Sequence, residues 1–76
     1  MLKELINKLL WHPGYNPEDY VIKYLHRGAE NDEKSVPLQN IVIEDSFLFF
    51  DETHIPFHRI LEIVNLKNGE ILYKKR

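Results

Sequence analysis

Only one stretch of this chain carries a helical period, and a Pro-Gly pair ends it. Leu2, Leu5, Ile6, Leu9 and Leu10 recur at i, i+3, i+4, i+7 and i+8, which is one apolar stripe on a helix. Lys3, Glu4, Asn7 and Lys8 take the other face, with Glu4 and Lys8 four apart in the favourable order. Trp11 extends the stripe. His12 is pushed out of the helical region because it precedes Pro13, and Gly14 makes the stop firm. Everything after this point is short β-rich runs cut by turn formers. A lone helix followed by runs of strands predicts an α+β fold, an N-terminal helix packed on a small, curled, mostly antiparallel sheet. No linker or composition shift divides the chain, so residues 1–76 form a single domain.

The β-rich runs can be placed one by one. Residues 20–26, Tyr-Val-Ile-Lys-Tyr-Leu-His, are rich in β-branched and aromatic side chains and read as a strand. Tyr20, Ile22 and Tyr24 make the more apolar parity and face the core, with His26 at its edge. Residues 28–35 form an acidic loop. Residues 41–43 start a short strand, residues 47–50 a central one with apolar side chains on both faces, and residues 54–57 return antiparallel to it. Residues 61–66 form a further strand. Asn68-Gly69 signals a two-residue type I′ turn into residues 70–74, and residues 74–76 are expected to fray in solvent. Leu5, Ile6, Leu9, Ile22, Phe49 and Ile60 are expected among the buried residues. One short pattern occurs twice, Val36-Pro37-Leu38-Gln39-Asn40-Ile41 and Ile55-Pro56-Phe57-His58-Arg59-Ile60. Each copy reads as a strand end entering a single helical turn whose apolar residues, three apart, share one side.

Composition narrows the function classes. The hydrophobic share is 43% with nine aromatics, enough for a core in a chain this small. No apolar run approaches the ~18 residues of a membrane span, so no membrane partner is expected. No signal-peptide pattern is visible, and there is no cysteine for a disulfide or thiolate. A cytoplasmic protein fits both facts. The net charge of −2 is unevenly spread. Residues 1–29 carry four Lys/Arg against three acids, residues 30–52 one Lys against seven acids, and residues 53–76 five Lys/Arg against two acids. An anion site must therefore be a local pocket, because a broad basic surface is not available.

No phosphate loop, dinucleotide fingerprint or zinc-protease motif is present. His54 and His58 are four apart, but Pro56 between them opposes a helix, so neither a metal nor a cofactor is expected. Ser35 and Ser46 lack a nucleophile-elbow context. Two His-Arg pairs remain, His26-Arg27-Gly28 and His58-Arg59. Arginine grips two phosphate or carboxylate oxygens with one planar fork. Histidine adds a donor that titrates near neutrality, and Gly28 lets backbone N–H groups approach an anion. Two such units within roughly 10 Å of each other would make a compact phosphate pocket. The structural alternative is that both arginines pin the acidic loop through Glu30, Asp32 and Glu33. Trp11 and Tyr15 are candidates to stack a nucleobase, unless Trp11 simply ends the core stripe.

Trp11-His12-Pro13 after an amphipathic helix, His26-Arg27-Gly28 followed by Asp32-Glu33, and Ile55-Pro56-Phe57-His58-Arg59-Ile60 followed by Glu62-Ile63 resemble a family of small, largely archaeal, uncharacterised proteins. The same domain is similar to one in larger eukaryotic proteins that is proposed to recognise RNA ends carrying a 2′,3′-cyclic phosphate, beside RNA-repair and two-histidine phosphoesterase domains. The resemblance runs from residue 2 to about residue 63. Phe57 stands where Tyr is common, residues 51–53 where Asp-Gly is usual, and the strand at residues 70–74 lies beyond the usual core and away from the pocket. The resemblance implies a non-catalytic RNA-binding domain whose partner is an RNA 3′ end with a cyclic phosphate, with RNA-repair or processing enzymes as further partners. Arg27 and Arg59 would hold the phosphate, His26 and His58 would donate to it, and Asp32 and Glu33 would orient the arginines or meet the ribose. Two readings compete. One is a small cyclic phosphodiesterase or ribonuclease with His26 and His58 as acid and base. The other is a protein-interaction module built on the uneven charge.

Overall fold

The computed structural model describes residues 2–28 and 30–75, the side chain of Glu30 excepted. One helix and seven strands follow each other in an α+β arrangement. Helix α1 (Leu2–Trp11) buries Ile6 and Leu9 at the centre of its stripe, with Leu2, Leu5 and Leu10 packed half-buried around them. Trp11 does not close the stripe; it is 79% exposed.

Four strands form the larger sheet in the order β2 (Glu33–Pro37), β1 (Tyr20–Leu25), β6 (Ile60–Asn65), β7 (Ile71–Lys74). Three form the smaller one in the order β3 (Val42–Glu44), β4 (Phe47–Phe50), β5 (Thr53–Pro56). Every pairing is antiparallel. The strands are thus divided between two sheets that share one core, rather than gathered in one curled sheet. In β1 the parity holds, with Tyr20, Ile22 and Tyr24 buried. Ile22 lies opposite Ile63 in the ladder, and neither exposes any surface.

Four sequence expectations need correction. Residues 33–35 are not loop: they open β2, which pairs with β1 from Leu25↔Glu33 to Val21↔Pro37. In β4 the buried residue is Leu48, facing Ile55 across the ladder, and not Phe49. Phe49 belongs to the other parity and packs edge-on against His54, with ring centroids 4.5 Å apart. The β6–β7 connection is wider than a two-residue turn. Gly69 takes positive φ (76°) and its N–H donates to the Asn65 carbonyl, while Asn68, outside the left-handed region, accepts from the Glu70 N–H through its side chain. Lys74 and Lys75 do not fray: β7 ends at Lys74, and the Lys75 N–H donates to the Leu61 carbonyl at 2.9 Å. Arg76 lies outside the described residues.

The repeated hexapeptide is where the chain changes sheet. After Pro37 the 3₁₀ turn Leu38–Asn40 carries the chain from β2 into β3, and after Pro56 the turn Phe57–Arg59 carries it from β5 into β6. Both prolines keep extended backbone, and each turn closes with the N–H of an isoleucine on the carbonyl three residues back. Val36, Leu38 and Ile41 in one copy, and Ile55 and Ile60 in the other, are buried, with Phe57 half-buried. Proline at the strand end loses no ladder hydrogen bond, and the turn drops its two apolar residues into the space between the sheets.

Two measurements follow from this packing. Leu48→Ala should lower the unfolding free energy by about 2–5 kcal/mol in urea titration, and by more than Phe49→Ala, although Phe is the larger side chain. The second concerns Tyr20, whose phenol is pushed above its ordinary value by burial first, then by Tyr15, Asp19 and Glu70, with a hydrogen bond to Asn65 opposing. A raised folded pKa gives stability that is whole below the unfolded value of about 10 and is lost as pH rises through the folded one. The urea midpoint should therefore fall from pH 9 to pH 11.5 more steeply in the wild type than in Tyr20→Phe.

Candidate nucleic-acid end site

Two segments that the sequence singles out leave the larger sheet at one end. The first is the loop from β1 to β2. The His26 N–H donates to the Asp32 carbonyl at 2.7 Å and closes the loop. Inside it Gly28 (φ 92°), Asn31 (57°) and Asp32 (57°) all take left-handed backbone, which glycine, asparagine and aspartate tolerate best. Asp32 also accepts from the Gly28 N–H through Oδ1 at 3.4 Å. The loop thereby lifts Arg27 and Gly28 into solvent, while His26 stays half-buried with its ring edge-on to Tyr24.

The second segment is the turn Phe57–Arg59 before β6. Its entry is fixed by the Phe57 N–H on the Ser46 carbonyl at 3.0 Å. Phe57 anchors the turn in the core, and His58 and Arg59 are exposed. Register decides the rest. Ile60 pairs with Tyr24, so Arg59 precedes the ladder at the end where Leu25 and His26 leave it. A bulge sharpens this corner. Lys23 pairs with Glu62 and Tyr24 with Ile60, so Leu61 has no partner in β1. The bulge brings Ile60 and Ile63, three apart, onto the same core face and bends the strand where Arg59 enters it.

The charges at this end are lightly engaged. The ion pair among the described residues joins Lys23 to Glu62 at 3.9 Å, across the β1–β6 ladder. Neither Arg27 nor Arg59 is in an ion pair with a described carboxylate. Asp32 serves the loop backbone instead, Glu33 lies opposite Leu25, and the side chain of Glu30 is outside the description. One further cation was not foreseen. The Lys75 ammonium donates to the His58 carbonyl. The C-terminal strand, expected to lie away from this region, reaches it. No local sequence signal places Lys75 there, because its position depends on the register of β7 on β6.

The remaining candidates lie elsewhere. Trp11 lines a cleft of about 220 Å³ with Asn7, Leu10, Ile41, Val42 and Ile43. Ile41 follows the turn that starts where Pro37 pairs with Val21, the opposite end of β1 from His26. Tyr15 is half-buried, edge-on to His12 at 5.4 Å between centroids, with the Lys8 ammonium 5.6 Å from its ring centre. It is Trp11, not Tyr15, that offers an open face. His12 accepts from the Gly14 N–H through Nδ1 and His54 packs on Phe49. Among the described residues no three His, Asp or Glu side chains converge as metal ligands would, and no helix is long and apolar enough to cross a membrane.

Fold and polar edge together define a small α+β domain that presents two His-Arg units at one end of its larger sheet. The chain belongs to the family described as the MJ1316 RNA cyclic group end recognition domain, whose model matches residues 1–75. The match takes in the C-terminal hairpin, which is therefore part of the family's domain and not an addition beyond residue 63. The chain is 93% identical to a UPF0248 protein of Methanococcus maripaludis strain C5, over the whole of both chains. It is 51% identical to the UPF0248 protein MJ1316 of Methanocaldococcus jannaschii, over all of this chain and 95% of that one. It is 36% identical to a UPF0248 protein of Pyrococcus abyssi, over 99% of this chain and 89% of the relative. No solved structure matches.

The loop geometry gives a direct test. A Cβ at Gly28 would meet nothing within 4 Å, so the cost of Gly28→Ala is that of left-handed backbone alone. Thermal or urea unfolding should show a loss of about 1–2 kcal/mol. An unchanged midpoint would mean that the loop relaxes out of this conformation.

Proposed function

We propose that this chain is a non-catalytic domain that binds RNA 3′ ends carrying a 2′,3′-cyclic phosphate. The observation that carries the reading is the register Tyr24↔Ile60, which leaves His26-Arg27 and His58-Arg59 at one sheet end with neither arginine tied to a described carboxylate. The family's description, RNA cyclic group end recognition, supplies the ligand class. A terminal cyclic phosphate is a monoanion with two exposed oxygens, which suits one arginine fork and a histidine donor. Arg27 and Arg59 hold the oxygens, and His26 and His58 donate and shape the pocket. Gly28 keeps the loop tip low enough for the ligand to approach, and Asp32 holds that loop. Glu33, at the start of β2, would orient an arginine or accept from the ribose. Trp11, exposed at the end of α1, lines a separate cleft with Ile41 and Val42. In this reading it meets an upstream base rather than the terminal one.

Phosphate contacts fix position and carry no sequence information, so little sequence preference is expected. The setting that fits is RNA repair or processing in the cytoplasm, with the domain delivering a cyclic end to an enzyme that acts on it. In this reading the cyclic phosphate survives incubation with the pure protein.

The test is a titration with matched oligoribonucleotides that differ only at the 3′ end. The cyclic-phosphate end should bind more tightly than the hydroxyl end. Arg27→Ala and Arg59→Ala should each reduce that preference by about 1.5–3 kcal/mol, the worth of a charged hydrogen bond. Equal affinity for the two ends would sink the reading, and release of an opened 2′- or 3′-monophosphate would replace it with the phosphodiesterase.

A further inference from the structure

We propose that Lys75 is a third phosphate-binding residue of this site, an inference that rests on the His-Arg reading above. Three observations place it. Its ammonium donates to the carbonyl of His58, so it sits on the peptide that joins His58 to Arg59. Its own N–H donates to the carbonyl of Leu61 at 2.9 Å. Leu61 lies one residue before Glu62, so this bond is the next rung of the β6–β7 ladder beyond Glu62↔Lys74. The register Glu62↔Lys74 then fixes the direction from which Lys75 arrives.

A structural role alone accounts poorly for this arrangement. The contact is at the surface, where water would satisfy the same carbonyl, and holding a lysine side chain costs rotamer entropy of up to about 2 kcal/mol. Lys75 thus brings a positive charge to the peptide that joins His58 to Arg59, and neither Lys75 nor Arg59 is paired with a described carboxylate. A surface cation without a carboxylate partner is open to an anion. An ammonium has three donors; one is used on His58, and two remain for phosphate oxygens. The lysine is thus aimed by its first bond and available through the others.

The ligand chemistry is a phosphate oxygen, which can belong to the terminal cyclic phosphate or to the phosphodiester one nucleotide upstream. Two probes separate these sources. A nucleoside 2′,3′-cyclic monophosphate has only the terminal group, whereas an oligoribonucleotide with a cyclic end has both.

The experiment titrates both probes against wild type, Lys75→Gln, Lys75→Arg and Arg59→Ala over a range of salt. Lys75→Gln should weaken oligonucleotide binding about tenfold, the equivalent of one charged hydrogen bond. It should also lower the slope of log affinity against log salt by ~0.7, one counterion on a single strand. Lys75→Arg should restore the slope. A role confined to capping His58 would leave that slope unchanged. Weaker binding of the mononucleotide as well assigns Lys75 to the terminal phosphate; an effect on the oligonucleotide alone assigns it to the upstream one. If Arg59→Ala weakens binding and Lys75→Gln changes neither affinity nor slope, the Lys75 proposal is wrong and the His-Arg site stands. If Arg59→Ala has no effect while Lys75→Gln does, the His-Arg reading fails and Lys75 keeps its anion-binding role. If neither has an effect, both are overturned.

Discussion

The pairing of β1 with β6 is the interaction on which the rest of the molecule depends. It forms the middle of the larger sheet, sets Ile22 against Ile63 in the core, and decides which residues emerge together at each end. The two strands are far apart in sequence, so the contact is non-local, and its formation must close a long loop before it returns any burial. Loop-closure entropy grows only slowly with length, and the intervening chain is not idle. It folds into β2 and the three-stranded meander, both built from local antiparallel hairpins. Local contacts of that kind shorten the effective loop that the β1–β6 pairing must close.

The two proline corners make that docking specific. Each takes the chain from one sheet to the other, and each fills the gap between the sheets with apolar side chains three residues apart. The corners are not equivalent in their outer residues. In the first, Gln39 and Asn40 face solvent; in the second the same positions are His58 and Arg59. The scaffold requirement is met by the aliphatic, proline and isoleucine positions, which leaves the two central polar residues free for other work. Structure and recognition therefore share one hexapeptide without competing for its side chains.

What could be read from the sequence was whatever depends on local periodicity. The stripe of α1, the buried parity of Tyr20, Ile22 and Tyr24, and both proline turns are legible because each is decided within a few residues. The strand β2 was hidden because it lies at the sheet edge. Glu33, Lys34 and Ser35 give it a polar start with no alternation, as edge strands tend to have. Phe47, Leu48, Phe49 and Phe50 are apolar at every position, so parity could not choose Leu48 over Phe49 until Ile55 came opposite it. Trp11 seemed to end the apolar stripe, yet one residue past Leu10 the helix face has turned away from the core. The His-Arg units were visible as dipeptides, while their common location follows from the Tyr24↔Ile60 register. Lys75 was invisible for the same reason, since the register of β7 on β6 is a property of two strands and not of one.

The uneven charge of the chain has a structural origin that bears on recognition. The acidic middle third supplies residues that tight turns demand. Asp45 (φ 47°) and Asp51 (φ 55°) occupy the first positions of the two-residue loops after β3 and β4, and Asp32 (57°) takes left-handed backbone in the loop after β1. The tightest hairpin loops need positive φ at their first residue, and aspartate is among the few non-glycine residues that accept it. Those three carboxylates are fixed in place by backbone geometry. Screening limits their influence to about 10 Å at moderate salt. Asp45 stands next to Ser46, whose carbonyl receives the Phe57 N–H, so one of these turn carboxylates neighbours the turn that carries His58 and Arg59. In the proposed reading these carboxylates oppose the approach of a long polyanion to a chain of net charge −2, while Arg27, Arg59 and Lys75 supply the cations for a small one.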